Sequence, residues 1–200
     1  MKLRLSCICF LLTLAGCVVP APPGFTVVES DGTRVEAYGY SVQAPGKGWF
    51  QGKNDYGVIF GKRNPPVESY HAGITVTRMP SLTDRKAFND FARKKLGEGS
   101  DSFRYKVVRT EVKEEEKNGL WLVAGRLDFE DAGAVNAGTN PYLLTCNATL
   151  FVLDPQDHER LVALWYSWRG TKLDEAAFNA AAARFFDSLQ KSKTTTPLPR

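Results

Sequence analysis

The stretch that decides the fold is RYKVVRTEVKEEEKNGLWLVAGRLDFE, residues 104–130. Two runs that contain valine, threonine and aromatic residues, Arg104 to Lys117 and Leu120 to Glu130, flank the dipeptide Asn118-Gly119. Asn-Gly between two such runs is the signal of a two-residue β-hairpin turn, because both turn positions take positive φ. Tight turns join antiparallel strands, whereas parallel neighbours need a long crossover. The stretch therefore predicts an antiparallel hairpin within an antiparallel sheet.

Comparable strand signals occur on both sides of this hairpin. A second hairpin is predicted from Tyr142 to Arg169, with its turn at residues 154–157, and a third from Thr26 to Gln43, with its turn at Asp31-Gly32. Gly57 to Arg63 is short and apolar, and Ser69 to Met79 alternates between apolar and polar residues. Such alternation is typical of a half-buried strand. The apolar face of that strand consists of Tyr70, Ala72, Ile74 and Val76.

Two segments have the apolar period of amphipathic helices. The first covers residues 84–96, with Thr83 as its predicted cap and Gly97 as its end, and the second covers residues 172–190, with a capping box at Thr171 and Asp174. The predicted apolar faces are Phe88, Phe91, Ala92 and Leu96 in the first helix, and Phe178, Ala181, Ala182, Phe185, Phe186 and Leu189 in the second. Because apolar helix stripes need a sheet to cover, the fold class is α+β, an antiparallel sheet covered by two amphipathic helices.

The order of these elements carries a resemblance. An early strand leads into an aliphatic-Pro-Trp pattern, Ala44-Pro45-Gly46-Lys47-Gly48-Trp49. A strand, a helix with spaced phenylalanines, an antiparallel meander and a C-terminal helix follow. This order resembles the PsbP-like fold, an α/β/α sandwich named for an extrinsic photosystem subunit. The resemblance implies a binding or assembly module rather than an enzyme. It transfers no functional residue, since no site motif matches.

The N-terminus has the pattern of a bacterial lipoprotein signal. Lys2 and Arg4 precede a short apolar run, as in a secretory signal peptide. Leu14-Ala15-Gly16-Cys17 resembles the lipobox, which implies cleavage after residue 16 and lipid attachment at Cys17. The alternative is an ordinary signal peptide that leaves Cys17 as a loose thiol. Because no Asp follows Cys17, the resemblance implies anchoring in the outer membrane, facing the periplasm or the cell surface.

These features divide the chain into four parts. Residues 1–16 are the predicted signal peptide, 17–25 a lipidated cysteine and Pro-rich tether, 26–190 a single α+β domain, and 191–200 a flexible tail. Removal of Lys2 and Arg4 with the signal lowers the net charge from +4 to +2. The remaining basic residues are spread along the chain, so the sequence does not indicate a nucleic-acid-binding protein.

Residues capable of chemistry are few. His71 and His158 lack metal-ligand spacing and are expected to be exposed surface imidazoles, so no metal or other cofactor is predicted. Cys146 with His158 as base would form a thiol site, but Cys146 shares a predicted core face with Leu144 and Val152, where cysteine is inert. Asp128, Glu130 and Asp131 could bind a cation, although a solvated strand end is the preferred interpretation.

Two features are candidates for binding. The loop at residues 131–141, DAGAVNAGTNP, is long for a hairpin connection and is either a binding loop or a plain connection. Side chains alternate along a strand, so Trp165 points to the opposite side of the sheet from Tyr166 and Trp168. If one of these two aromatic sets lies outside the core, it is a candidate surface for contact with a partner. Core packing is the preferred interpretation of this aromatic group.

The sequence thus predicts a membrane-anchored lipoprotein that acts as a non-catalytic binding or assembly module of the cell envelope. Its predicted partners are the membrane, through the N-terminal lipid, and a protein or another envelope component. The alternative is a carrier of lipid or another hydrophobic ligand, which predicts an apolar cavity between sheet and helices. A thiol or hydrolytic enzyme is the third hypothesis, and it requires a solvent-accessible Cys146 beside an imidazole.

Overall fold

The computed structural model describes residues 21–98, 104–133, 142–192 and 198. The described elements are β1 (Phe25–Val27), β2 (Arg34–Ala37), β3 (Tyr40–Gln43), β4 (Phe50–Asn54), β5 (Gly57–Asn64), β6 (Glu68–Arg78), α1 (Arg85–Gly97), β7 (Tyr105–Lys117), β8 (Leu120–Asp131), β9 (Leu143–Leu153), β10 (Arg160–Gly170), α2 (Glu175–Asp187) and β11 (Gln190–Lys191).

The strands form one large and one small antiparallel sheet. The eight-stranded sheet has the order β1-β4-β5-β6-β10-β9-β8-β7, and the three-stranded sheet has the order β11-β3-β2. The predicted hairpin at Asn118-Gly119 is confirmed, with β7 paired to β8 and both turn residues at positive φ. The predicted pairing of β9 with β10 across residues 154–157 is confirmed too.

Helix α2 and the small sheet cover one face of the large sheet, which we call the α2 face. The apolar residues of α2 lie among buried residues of the central strands, and the ring of Phe185 meets that of Phe60 edge-on at 6.1 Å. Trp49, which ends the segment Pro45-Gly46-Lys47-Gly48-Trp49, is buried, and its ring centroid lies 6.0 Å from that of Tyr166. The main core consists of side chains from this face, including Val42, Ile74, Val152, Leu164 and Trp168.

Helix α1 packs on the opposite face, which we call the α1 face, and mainly on β8 and β9. Phe88 and Ala92 are buried in a second core with Val123 and Phe151. Glu114 of β7 accepts hydrogen bonds from Asn89 and from Arg93, and so ties the helix to the sheet edge. The molecule therefore has helices on both faces of a large antiparallel sheet, as the predicted α+β class requires.

The hairpin predicted at Asp31-Gly32 is wrong. β1 pairs with β4, and β2 pairs instead with β3 through a turn at Tyr38-Gly39. Both of those turn residues have positive φ, 46° and 85°, as a tight hairpin requires. Asp31 instead accepts a 2.7 Å hydrogen bond from the backbone N–H of Lys47, which holds the turn before Trp49.

The helix positions are confirmed, but their predicted caps are wrong. Asp84, not Thr83, caps α1 and accepts hydrogen bonds from the backbone N–H groups of Lys86 and Ala87. Asp174 caps α2 in place of Thr171, so the second helix is shorter at both ends than predicted. A carboxylate at the cap also complements the positive end of the helix dipole, which a hydroxyl does not.

Strand structure extends one residue beyond each end of the predicted residues 26–190. Phe25, assigned to the tether, is the first residue of β1, and Lys191, assigned to the tail, pairs with Tyr40 in the small sheet. The Nζ atom of Lys191 lies 2.5 Å from Oδ2 of the buried Asp154, which fixes β11 to the turn between β9 and β10.

Candidate functional site

Among the residues that the structure describes, helix α1 covers only part of its face of the large sheet. Leu96 lies directly over Gly125, and the rows of side chains beyond this point belong to what we call the open face. Cross-strand pairing places three rows there: Ile59, Gly73, Trp165 and Thr149; then Gly61, His71, Ser167, Asn147 and Leu127; then Arg63, Ser69, Arg169, Thr145, Phe129 and Val107.

Trp165 lies in the first of these rows, on β10 between β6 and β9. Its side chain is half-buried, and its ring lies against Gly73, where a Cβ atom would be 2.3 Å from the ring. The absence of a side chain at residue 73 leaves room for the indole beside the neighbouring strand. Tyr166 and Trp168 point to the other side and are buried in the main core, which confirms core packing for those two residues. Trp165 is the aromatic residue on the accessible side.

Arginine side chains lie at one end of the open face, in the third row, two rows away from Trp165. Arg169 and Arg104 both bind the buried carboxylate of Asp131, at 2.8 Å and 2.5 Å. These two guanidinium groups lower the pKa of Asp131, with hydrogen bonding from Arg104 as the main cause. Arg63 is exposed in the same cross-strand row as Arg169.

Apolar side chains continue the surface toward the sheet edge. The rings of Tyr105 and Phe129 lie 4.7 Å apart, and Arg104 stacks over Tyr105 at 5.2 Å. Val107 beside them is 42% exposed. Tryptophan, tyrosine, phenylalanine and arginine are the residue types enriched in protein interfaces. The open face has the composition of a contact surface.

The pKa of His71 is lowered from its usual 6.5. Desolvation of the ring against the sheet is the main cause, and the charges of Arg63 and Arg169 add to it. The imidazole is therefore neutral at pH 7, and it gains a positive charge only as the pH falls below 6.5.

Replacement of Arg63 by glutamine is expected to raise the pKa of His71 toward 6.5, because one of the two neighbouring cations is removed. The pKa of His71 should return only part of the way to 6.5, because the desolvation of the ring and the charge of Arg169 remain. The measurement is an NMR titration of the His71 ring between pH 4 and 8. Arg184→Gln, the same change on the exposed surface of α2, should leave the His71 titration unchanged. Identical His71 curves in wild type and Arg63→Gln would contradict this electrostatic coupling.

A second surface feature lies on the α2 face. It is an open groove of about 300 Å³ between α2 and the β7–β8 hairpin. Its apolar residues are Leu120, Leu122, Ala124, Leu150, Phe186 and Leu189, and its rim carries Lys113, Glu115, Lys117 and Asp187. Lys117 and Asp187 form an ion pair at 3.2 Å across this rim. The groove is apolar at its base and balanced in charge at its edge.

Comparison with known proteins gives limited information. No family model matches the chain. No curated protein sequence matches it. Among solved structures, the chain is similar to the Ran-binding protein Mog1p of Saccharomyces cerevisiae, at 11% identity and a TM-score of 0.43, over 81% of this chain and 96% of that one. A similarity of that extent identifies neither the fold family nor the function of this chain.

Cys146 does not meet the requirements of a thiol nucleophile. It is fully buried in the main core on the face shared with Leu144 and Val152, as the strand period predicts. Burial, with a smaller contribution from the carboxylate of Asp128, raises the pKa of its thiol to about 12. Its polar neighbours are Asp128 and Arg126, whereas His158 follows the turn at the far end of β9.

The prediction of a solvated strand end at Asp128, Glu130 and Asp131 is wrong for two of these residues. Asp128 and Asp131 are buried, at 5% and 3% exposure, and point to opposite faces because their positions differ by an odd number. Arg126 binds both carboxylate oxygens of Asp128, and Arg104 and Arg169 bind Asp131. The carboxylates diverge, and each is held by arginine.

Several predicted features lie outside the described residues. These are Cys17 with the signal sequence, residues 18–20 of the tether, and residues 134–141 of the loop at 131–141. At the start of that loop, the backbone N–H of Gly133 donates to Asp131 at 3.1 Å. Within the described ranges, no helix has the length and apolar character needed to cross a bilayer.

Sequence reasoning missed the arginines of the open face. Arg63, Arg104 and Arg169 are far apart in the sequence and have no motif spacing. The available signal was their position along the strands. Arg63 and Arg169 lie near the ends of two strands, and the apolar alternation in each strand fixes which side of the sheet the residue faces. Pairing of those strands was needed to bring them together.

Proposed function

We propose that this chain is a membrane-anchored lipoprotein that acts as a non-catalytic binding or assembly module of the cell envelope. The lipobox pattern ending at Cys17 supports lipid anchoring, and its lack of a following Asp supports the outer membrane. The observation that carries the binding function is the half-buried Trp165 on the open face, whose ring lies against Gly73, on the same face as Arg63 and Arg169. Tryptophan and arginine are the residue types most often found as anchors of protein interfaces.

The state of the ionisable groups on the open face also favours binding over catalysis. The carboxylate of Asp131 is neutralised by two arginines, and His71 has no carboxylate among the groups that shift its pKa. A general acid–base pair needs a titratable group near a proton that it can take up or release at the working pH. Neither group is arranged in that way, so the arginines and Trp165 are better suited to hold a partner.

We also propose the finer PsbP-like classification of the domain. Two features support it. Helices lie on both faces of an antiparallel sheet, and the segment from Pro45 to Trp49 places Trp49 in the core beside Tyr70 and Tyr166. The resemblance on which the classification rests implies a binding or assembly module.

The groove beside α2 favours one alternative, a carrier of lipid or another hydrophobic ligand. Its apolar base of leucine and phenylalanine lies between the sheet and a helix, where a carrier would hold its ligand. The groove is open along its length, and 300 Å³ is at the lower limit of small-ligand sites. The open face is therefore the preferred site.

Photo-crosslinking from intact membranes tests these proposals. A benzophenone amino acid at Ser167 of the full-length protein should give one recurring protein adduct, because this residue neighbours Trp165 on the open face. The same probe at Ala180, exposed on α2, is the matched control and should not give that adduct. The Cys17→Ala variant should lose the adduct, because the unanchored domain is not held near its partner.

Other outcomes would contradict the binding module. Equal adducts from Ser167 and Ala180 would show that the open face has no special role. A lipid adduct at Leu120 in the groove, with no protein adduct at Ser167, would favour the carrier.

A further inference from the structure

We propose that β7 is the docking site for a second copy of this chain, and that two β7 strands pair antiparallel about a two-fold axis at Val112. The pairing joins two eight-stranded sheets into one continuous sheet. This inference goes beyond the proposed function, because it rests on the outer edge of the sheet and not on the open face.

The unpaired edge of β7 is the first observation. Among the described strands, β7 pairs with β8 alone and ends the large sheet, so the outer side of its backbone has no strand partner. Such an edge is a template for pairing with another strand. The two edges of this sheet differ in length, since β1 has 3 residues and β7 has 13. β7 also contains no proline, so each of its backbone N–H groups can donate.

The second observation is the charge pattern in the regular part of β7, residues 109–117. The register shift against β8 lies between Val107 and Arg109, and the residues that follow form an undisturbed ladder. Arg109 pairs with Glu175 of α2, and Lys117 pairs with Asp187 of α2, so the odd-numbered residues lie on the α2 face. Their charges alternate in sign along the strand: Arg109, Glu111, Lys113, Glu115 and Lys117.

Two-fold symmetry allows few registers for this pairing. Residues opposite each other in an antiparallel pair lie on the same face of the sheet, and the symmetry pairs residue i with j and j with i. Each symmetric register is therefore centred on one residue, which lies opposite its own copy. A register centred on a charged residue places like charges opposite each other, which destabilises a strand pair. Within residues 109–117, this leaves Thr110 and Val112 as centres.

The register centred on Val112 pairs residues 109–115 of each copy without placing like charges opposite each other. It places Arg109 opposite Glu115 and Glu111 opposite Lys113, and the symmetry forms each of these contacts twice. Opposite charges that face each other across two strands stabilise the pair. The sequence of the regular part is thus complementary in charge to its own reversed copy.

The register centred on Thr110 forms a shorter ladder. It places Val112 opposite Val108, and Val108 lies at the register shift of β7, so the regular ladder covers only residues 109–111. Charged residues on an edge strand usually prevent pairing with other strands. The alternating charges of β7 oppose most pairings of the edge in this way and favour a second copy in the register centred on Val112.

The charged side chains of β7 are accessible to a second copy. Glu111 is 62% exposed and Lys113 is 76% exposed. Their ion pairs within the chain are with Arg109 and Glu115, two residues along the same strand, and exposed pairs of this kind contribute little to stability. Pairing of two copies gives each of these side chains an additional partner of opposite charge.

Charge reversal in the full-length protein tests the pairing. Energy transfer between copies that carry donor and acceptor dyes at the C-terminus, in non-ionic detergent, measures the dissociation constant of the dimer. We expect Glu111→Lys to weaken the dimer about tenfold or more, because it places like charges opposite each other at two symmetry-related positions. Lys113→Glu should do the same. The double variant Glu111→Lys, Lys113→Glu should bind within about threefold of the wild type, since opposite charges face each other again.

Two matched controls make the same reversals away from β7. Glu29→Lys changes an exposed residue of a loop, and Lys53→Glu changes an exposed residue of β4, which has strand partners on both sides. Both variants should change the dissociation constant less than about twofold, because exposed charges far from the contact are screened by salt.

Disulfide crosslinking tests the register. Opposite residues of an antiparallel pair have Cα atoms about 4.5–5.5 Å apart, which a disulfide can bridge, whereas diagonal neighbours lie about 7–8 Å apart. Glu111→Cys chains mixed with Lys113→Cys chains that carry a different tag should therefore form a mixed disulfide dimer. Each variant alone should give no more dimer than the wild type, whose own cysteines set the background.

Several results would overturn the inference. One is a monomer at every concentration up to ~0.5 mM, since weaker association would not define a specific contact. Another is a dimer that Glu111→Lys and Lys113→Glu leave unchanged, or that the double variant weakens more than either single change does. A mixed disulfide no stronger than the dimer from either cysteine variant alone would overturn the register at Val112.

Discussion

Replacement of Asp128 by alanine is expected to destabilise the folded domain by about 3–5 kcal/mol, the usual cost of removing one partner from a buried ion pair. Arg126 binds this carboxylate through Nε and Nη2, and only 10% of the Arg126 side chain is exposed. Its remaining partners, Asn179 and Glu175, lie at the outer end of the guanidinium group. Without Asp128, the charge of Arg126 stays under α2 with too little compensation.

Chemical denaturation measures this loss, and Glu111→Ala is its matched control. Glu111 is paired with Arg109 at 3.2 Å, but its side chain is 62% exposed. Surface pairs of this kind contribute at most about 1 kcal/mol. The double variant Arg126→Met, Asp128→Leu should recover much of the lost stability, since a buried ion pair can often be replaced by apolar residues. A loss at Asp128 no larger than that at Glu111 would contradict the buried-pair explanation.

Replacement of Gly57 by alanine is expected to cost about 3 kcal/mol, at the upper end of the usual range for overpacking. A Cβ atom at this position would lie 1.9 Å from the carbonyl oxygen of Ile74 and 2.9 Å from its carbon. The obstacle is the backbone of a neighbouring strand, so a change of side-chain rotamer cannot relieve it. β5 and β6 must separate locally, next to the buried side chains of Val58 and Ile74.

Gly97→Ala is the matched control. It makes the same substitution, but the expected change in the free energy of unfolding has the opposite sign. Gly97 ends α1, and among the described residues no atom outside its own helix backbone and its chain neighbours lies within 4 Å of an added Cβ there. Alanine in place of glycine at an unstrained helical position reduces the freedom of the unfolded chain and should stabilise the fold by roughly 0.5–1 kcal/mol. Thermal and urea unfolding of both variants measure the difference. Equal effects at the two positions would contradict the steric argument.

Local signals predicted most of the fold because they depend on neighbouring residues. Asn118-Gly119 specifies a tight turn through its φ requirements, and the alternation from Tyr70 to Val76 specifies which side of β6 is buried. Tyr38-Gly39 was missed because tyrosine rarely takes positive φ, and the tertiary structure holds it there with a hydrogen bond from its hydroxyl to the carbonyl of Asp55.

The candidate site was less predictable, for a physical reason. Strand period separates Trp165 from Tyr166, but it does not say which side a helix covers. The side that is covered, and how far, depends on where α1 ends along β8 and β9. The contact of Leu96 with Gly125 marks the end of the part that α1 covers. The ion pairs of Asp128 and Asp131 depend on arginines brought close by strand pairing, so the residues alone gave the wrong expectation of a solvated strand end.

The shortness of β1 has a mechanical consequence. Three residue pairs hold this edge strand to β4, whereas β6 and β10 share ten. A pulling force at the N-terminal end of the domain would detach β1 first and leave the two cores intact. Release of these three residues would lengthen the N-terminal tether by about 10 Å. A domain pulled away from its point of attachment would thus yield first at this strand, while Trp165 and the arginines of the open face keep their arrangement.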